Sequence, residues 1–368
     1  MNKNLLSQLP SPPAGKTGWP WNEETDPGIY QHQKDWPKIS IVTPSYNQGK
    51  FIEETIRSIL LQNYPNIEYI IIDGESTDET IEIIKKYAPW INFWVSEKDN
   101  GQTEAINKGI AKSHGDLFNW VNSDDYLVNG ALYTLASHLQ KTDPAASMIS
   151  GNIIVINEKG IQQKAATPKQ KNIFYEYMAG TAVHQPATLF NTKTIKLLTP
   201  LDERLHYSMC LQMMLQSNLT GIAEYVNKDI IVTRLHPDSK SIVSQNKFYP
   251  DRIKTYAAFF GYFPKPYRND KLTALLQTIT KEDFSTTNTN FIPVRFSAEN
   301  YITGQLFIAE KIARLYYFEN NIEASKKIVS FIKNNDRVYY RKHHLFLFEL
   351  KLSKLSSFCR RIKHLVYK

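Results

Sequence analysis

Residues 39–60 read ISIVTPSYNQGKFIEETIRSIL, and the order of residue types in that stretch decides the fold. Ile39 to Thr43 is a short apolar, β-branched run, the pattern of a strand covered on both faces. A polar break through Pro44, Ser45, Tyr46 and Asn47 follows. From about Lys50 to Gln62 the residues Ile52, Ile56, Ile59 and Leu60 fall on one face of a helix, which Tyr64-Pro65-Asn66 ends. The same alternation continues outward. Tyr69 to Asp73 predicts a second strand. Ser76 and Glu79 have capping-box spacing, which starts the next helix near Thr77 and carries it through Ile81, Ile83, Ile84 and Tyr87 to a stop before Pro89. Phe93 to Ser96 predicts strand three, Gly101 to Ser113 a third helix ended by Gly115, and Leu117 to Val121 a fourth strand running into Asn122-Ser123-Asp124-Asp125. A βαβα order of this kind predicts an α/β fold, a parallel sheet with helices on both faces.

Ligands of open α/β sheets bind beyond the carboxyl ends of the strands, and here those ends carry Thr43 to Asn47, Asp73-Gly74, Ser96-Glu97 and Asn122 to Asp125. Adjacent aspartates at a strand end can hold Mg²⁺ or Mn²⁺ through one or two carboxylates while phosphate oxygens complete the shell. A diphosphate site is therefore expected. An Asp-Asp pair by itself is also an ordinary turn or helix cap, and Tyr46, Asp73 and Gln102 have plain readings as a packing aromatic, a turn residue and a helix-start polar residue. No Gly-x-x-x-x-Gly-Lys-Ser/Thr loop is present, which disfavours a P-loop enzyme.

After the fourth strand the pattern changes. Ile153 to Ile156, the turn Asn157-Glu158-Lys159-Gly160 and the run from Ile161 read as a hairpin, an antiparallel addition to the sheet. From about Asn246 the chain is mostly helical and aromatic-rich, interrupted by a loop at Ser285 to Asn290. The expected organisation is an N-terminal extension (1–36) packing on the core through Trp19-Pro20-Trp21, a catalytic domain (37–245) and a basic, mainly α-helical C-terminal region (246–368). At 368 residues and 42% hydrophobic content, the chain can bury a full core. Its net charge of +8 is unevenly spread, with 23 Lys and Arg against 11 Asp and Glu from Pro237 onward and 21 against 25 before it. Leu345, Phe348, Leu352, Leu355, Cys359, Ile362 and Val366 recur at spacings of three and four, predicting a helix with lysines and arginines off its apolar stripe. That stripe suits packing within the protein, or a peripheral contact with anionic lipid. Two cysteines far apart give no disulfide framework. Prolines break Met1 to Trp21 as a signal peptide, and no run reaches the length of a membrane span. A cytoplasmic protein, peripheral at the inner face of the membrane if the lipid contact holds, is expected, with no nucleic-acid partner, since no recognised motif accompanies the charge.

Three segments, ISIVTPSYNQGKFIEETIRSIL, YIIIDGESTDETIEIIKKY (69–87) and GQTEAINKGIAKSHGDLFNWVNSDD (101–125), resemble the family 2 glycosyltransferases of GT-A fold, with weaker similarity through HQPATLF (184–190), LDERLHY (201–207) and RLHPDSKS (234–241). The resemblance implies a Rossmann-like GT-A domain, mostly parallel with an antiparallel addition. It implies a nucleotide-sugar donor, UDP-sugar favoured, a divalent metal and inversion at the anomeric carbon. Thr43, Pro44 and Tyr46 match the first nucleotide-contacting loop and Asp73 the aspartate that bonds the base. Gln102 and Asn107 lie in the segment bordering the nucleotide. Asn122-Ser123-Asp124 occupies the Asp-X-Asp position with Asn in first place, making Asp124 the leading metal ligand and Asp125 its neighbour, and His236 matches a late histidine of the metal shell. The acceptor implied is a glycan or lipid-linked saccharide of a surface polysaccharide pathway.

An inverting transfer needs a base for the acceptor hydroxyl, usually a carboxylate. In LDERLHYSMCLQMML the matching positions hold Cys210 and Gln212. Asp202, Glu203, His206 and His184 stand as alternatives. The departure keeps open a degenerate glycosyltransferase that binds a nucleotide sugar or a partner without turnover. A nucleotidyltransferase is a third, weaker reading.

Overall fold

A computed structural model of the chain describes residues 4–141, 146–157, 162–165, 178–180, 183–220, 222–240, 247–263, 265–282 and 298–353. They form two compact units. The first comprises Met1–Lys171, Thr181–Met209 and Gly221–Val243, and the second Asn172–Gly180, Cys210–Thr220 and Ser244–Lys368. The second unit thus takes in two segments from within 37–245.

The first unit opens with β1 (Ile39–Ser45), α1 (Ile52–Leu60), β2 (Ile67–Asp73), α2 (Thr80–Tyr87), β3 (Phe93–Ser96), α3 (Gln102–Lys112) and β4 (Leu117–Trp120). Strands β3, β2, β1 and β4 lie side by side, all parallel. Ile39, Ile41, Ile70, Ile71 and Ile72 are buried, because helices cover both faces. Helix α3 comes close to β1 at Gly109, where a Cβ would stand 2.4 Å from Val42 Cγ1. Any side chain there would force helix and strand apart.

Beyond β4 the sheet reverses. β5 (Tyr126–Leu127), α4 (Ala131–Leu139), β6 (Ala146–Asn157), β7 (Gln162–Ala165), β8 (Thr188–Asn191), α5 (Thr192–Leu198) and β9 (Ile222–Leu235) follow. β8 runs antiparallel to β4 and to β6, β9 lies parallel to β6, and β5 closes the edge antiparallel to β9. The expected hairpin is β6 with β7, paired from Ile153↔Ala165 to Ile156↔Gln162; Asn157 belongs to β6, and residues 158–161 lie outside the described residues.

One boundary departs from expectation. Ser76 does not cap α2: its hydroxyl donates to Asp73 Oδ1 (2.6 Å) and accepts from the backbone N of Asn47 (2.7 Å), and the helix starts later, at Thr80. The serine is used to join the β1 and β2 loops.

Within the first unit the N-terminal extension is fastened by Arg57 of α1, fully buried. Its guanidinium donates to the carbonyls of Pro10 (2.9 Å), Pro20 (3.0 Å) and Trp21 (2.7 Å) and to the hydroxyl of Tyr87 (3.0 Å). Trp19 Nε1 donates to Leu127 O (2.7 Å). Tyr30, Trp36, Tyr64 and Tyr133 pack mainly edge to face around the same extension.

The second unit is helical: α6 (Met209–Thr220, with Met209 in the first unit), α7 (Phe248–Phe259), α8 (Asp270–Thr280), α9 (Ala298–Phe318), α10 (Ile322–Asn335), α11 (Arg337–Lys342) and a further helical stretch at 345–353. Leu215, Ile253, Phe260, Leu272, Ile308, Ile312 and Ile328 build its core, and Leu345, Phe348 and Leu352 of the C-terminal stripe are buried in that same core. The stripe's later members, Leu355, Cys359, Ile362 and Val366, and the 285–290 loop lie outside the described residues.

Candidate active site

The carboxyl ends of the parallel strands are in step. Ser45 pairs with Asp73 and Asp73 with Ser96, so polar residues from three strands line up where the strands stop. The fourth strand delivers the Asn122–Asp125 turn, closed by Asp125 N to Asn122 O (3.1 Å) and pinned from α1 by Thr55, whose hydroxyl bonds Ser123 O and Asp125 O.

The two aspartates of that turn differ. Asp125 is buried, and its carboxylate accepts from the backbone N of Arg234 (3.0 Å) and from Asn122 Nδ2 (3.1 Å). Burial, and then the adjacent Asp124, push its pKa well above the usual carboxylate range. Asp124 keeps 23% of its side chain exposed, and its Oδ2 lies 3.1 Å from His236 Nε2, on the segment after β9. His236 is set by its own backbone, which exchanges bonds with Ser239, and by Phe51, 4.8 Å from its ring. Neighbouring ligands about 2.1 Å from an octahedral ion stand about 3 Å apart, so Asp124 and His236 have the spacing of two adjacent ligands whose shell phosphate oxygens and water would complete. Among the described residues no group of three or more His, Cys, Asp or Glu side chains suits a metal ion.

Arg234 escaped sequence reasoning. Its guanidinium donates to Asp124 O and pairs with Glu54 of α1 (2.8 Å), held over the rings of Tyr126 (4.6 Å) and Phe51 (5.4 Å). The one residue therefore steadies both aspartates. Its only sequence signal was membership of the RLHPDS run.

Gln102 joins the cluster: Nε2 donates to Asn122 Oδ1 (2.9 Å), and Oε1 accepts from Lys240 Nζ (3.0 Å), a second cation that the sequence reading did not single out. Asn122 has a physical reason to be an amide, since it accepts from Gln102 while donating to Asp125. An aspartate there would face Asp125 with no proton to give.

Other predicted residues make bonds outside this cluster or border it. Asn107 donates to Leu201 O (3.0 Å) and accepts from Leu201 N (2.8 Å), fastening the 201–205 segment, to which Thr103 also bonds at Leu205 O. Asp202 is spanned through both oxygens by Arg204, at 2.6 to 3.0 Å. Glu203 accepts from Asn107. His206 is exposed and borders the cluster: Lys240 bonds its carbonyl, and its ring stands beside Gly101, where a Cβ would lie 3.5 Å from Nδ1. The His184 carbonyl accepts from Ala187 and Thr188, while Gln185 next to it bonds Asn119 and Trp120 of β4. Cys210 and Gln212 are on α6 in the second unit, and burial raises the pKa of the thiol.

At the end of β1, Tyr46 is 61% exposed and so is not a packing aromatic, whereas Thr43 is buried with its hydroxyl on Tyr69 (3.1 Å). Pro44 between them is buried at the end of β1. Asp73 is fully buried and accepts from the backbone and hydroxyl of Ser76 and from the hydroxyl of Ser96. Asp99 lies over Gly74, where a Cβ would stand 2.9 Å from its carboxylate; burial raises its pKa against the bond from Gly101 N. No stretch of Asp99's local sequence had marked it as a candidate.

The family model of glycosyl transferase family 2 matches residues 40–198. An uncharacterized glycosyltransferase of Haemophilus influenzae is 30% identical over 236 residues, 61% of this chain and 88% of that protein. The chain belongs to glycosyl transferase family 2. A poly(ribitol-phosphate) beta-N-acetylglucosaminyltransferase of Staphylococcus aureus, TarS, is 27% identical over 168 residues, 44% of this chain, which spans 26% of TarS. The crystal structure of TarS 1-349 superposes with a TM-score of 0.51 at 18% identity, covering 79% of this chain and 90% of that one, and the same protein in complex with UDP-GlcNAc gives 0.50 at 17%, with the same coverage. The fold is the expected one: GT-A, Rossmann-like, with its antiparallel addition and a helical C-terminal region.

Proposed function

We propose that this glycosyltransferase is metal-dependent and inverting, and moves a sugar from a nucleoside-diphosphate donor, a UDP-sugar, to a glycan or lipid-linked acceptor of a surface polysaccharide. The observation that carries the reading is the meeting of Asp124 and His236, 112 positions apart in sequence and 3.1 Å apart in space, at the end of β4. The UDP-GlcNAc complex of TarS supports the donor class. Mn²⁺ or Mg²⁺ bound by Asp124 and His236 would offset the charge of the departing diphosphate. Arg234 holds the Asp124 backbone still, and Lys240 adds a positive charge at the rim. Tyr46 offers an exposed ring to a base. His206, beside Gly101, is better placed than Asp202, which Arg204 occupies, to take the acceptor proton. The parts assigned are a catalytic domain over 37–245 and a basic helical region over 246–368. The protein works in the cytoplasm, and among the described residues no helix is long and apolar enough to cross a membrane.

Calorimetric titration of UDP, GDP and dTDP with and without Mn²⁺, repeated on Asp124→Ala, tests the donor site. The expected result is metal-dependent binding of UDP that the substitution abolishes; binding of none of the three by folded protein overturns the reading. The anomer of the first product, read by NMR, tests inversion. Cys210 and Gln212, where the family pattern has carboxylates, favour one second reading, a binder without turnover, for which UDP would bind but no sugar nucleotide would be hydrolysed or transferred. Pyrophosphate release from a nucleoside triphosphate would instead mark a nucleotidyltransferase.

A further inference from the structure

The described part of the apolar stripe read from the C-terminal sequence is already occupied. Leu345, Phe348 and Leu352 are 0%, 6% and 0% exposed, inside the second unit's own core. The same helical stretch carries a second apolar set that the stripe pattern did not show: Phe346, Leu347 and Leu350, exposed at 42%, 50% and 53%. With about 100° of rotation per residue, these three share one arc opposite the buried one. Lys351 borders the arc.

The sequence that flanks this face is mostly basic, after Asp336, the acid that caps α11. Arg337, Arg341 and Lys342 of α11 are exposed, and Val338 among them is 78% exposed. From 337 to 353 the sole acidic residue is Glu349, and it is taken up by Lys333 (3.0 Å) and the hydroxyl of Tyr340. The sequence beyond, 354–368, adds Lys354, Arg360, Arg361, Lys363 and Lys368 and no acid.

We propose that the Phe346–Leu347–Leu350 face, with its flanking lysines and arginines, docks on an anionic lipid surface. Large apolar side chains standing among basic ones suit the headgroup boundary of a bilayer, where the rings and methyls enter the acyl edge and the cations meet lipid phosphates. A second copy of the chain fits less well, because a symmetric pairing would bring this basic surface against itself. The proposal locates the membrane contact on a face other than the stripe and does not depend on the donor-site reading.

Flotation of the full chain with vesicles of phosphatidylcholine, alone or with one-third phosphatidylglycerol, tests it. Binding to the anionic vesicles is expected to be at least about ten-fold stronger than to the neutral ones and to weaken as salt rises. Phe346→Asp with Leu350→Asp, both at exposed positions, should lower that binding by about ten-fold or more, with the thermal transition unchanged. Arg341→Ser with Lys342→Ser should lower it by roughly 25-fold, about five-fold per cation. The proposal is overturned by absence of binding, by equal binding to the two vesicles, or by equal binding of the wild type and the Phe346/Leu350 variant. It is also overturned by a wild-type dimer in sedimentation that this variant dissociates, since a second copy would then own the face.

Discussion

The two ends of the parallel strands hold buried carboxylates in opposite conditions. Near the start of β2, Glu68 accepts from Lys38 Nζ (2.7 Å), Ser40 Oγ (2.6 Å) and the backbone N of His114 (2.7 Å). Burial works against its charge, yet these bonds outweigh it and hold its pKa at about 2. Past the end of β4, Asp125 has a backbone amide and the Asn122 amide, and its pKa is raised by burial and by Asp124. Donors saturate the first carboxylate; the second stands in an excess of negative charge that Arg234, shared with Glu54, does not cancel. A carboxylate whose needs are met within the chain holds the fold together. A pair left short of positive charge is where the proposed metal ion would bind.

The contrast can be broken at either end. The largest effect is expected from Asp124→Asn, which should weaken Mn²⁺-dependent UDP binding by at least about 100-fold in calorimetry while leaving the unfolding midpoint near that of the wild type. An unchanged affinity would remove the distinction between the ends. Glu68→Gln should do the reverse, lowering stability at neutral pH by roughly 3 kcal/mol in urea titrations without altering UDP affinity. Because the Glu68 pKa falls from 4.5 to about 2 on folding, its contribution is complete above pH 4.5 and is lost as pH drops from 4.5 towards 2. The variant should lack that part of the acid transition. Arg234→Met should raise the Mn²⁺ concentration needed for half-maximal UDP binding by about ten-fold, and Arg234→Lys should recover part of it, since lysine can pair with Glu54 but lacks the fork that reaches Asp124 O. The smallest effect sharpens the comparison: Asn122→Asp should cost about 1–2 kcal/mol without metal, by setting a like charge against Asp125, and Mn²⁺ should restore the loss.

Much of this was legible in the sequence because it is local. Strands β1 to β4 and the helices between them follow from apolar runs and helical spacing, and the strand ends followed from the strands. Asp124 and His236 were expected from the family resemblance, and the structure sets them 3.1 Å apart. What stayed hidden depends on partners distant in sequence. Asn107 reads as a nucleotide-side residue but is spent on the Leu201 backbone. Ser76 has the spacing of a cap, yet Asp73 and Asn47 compete for its hydroxyl and win. Arg234 and Lys240 look like ordinary basic residues until the return of β9 sets them against the β4 turn and α3. The C-terminal helix shows the same limit: its periodic stripe was visible, whereas the exposed face opposite became distinct only once the stripe had been buried.

Arg57 has a practical consequence for anyone who would cut the chain. Likeness to the family begins at residue 40, and the sequence invites a truncation there. Physically the boundary does not exist: a guanidinium with no exposed surface takes three of its acceptors from Pro10, Pro20 and Trp21. A chain started at residue 37 would strand that charge in the interior with Tyr87 as its remaining partner. Shared ancestry and mechanical integrity thus draw different borders on the same polypeptide, and an expression fragment has to respect the second.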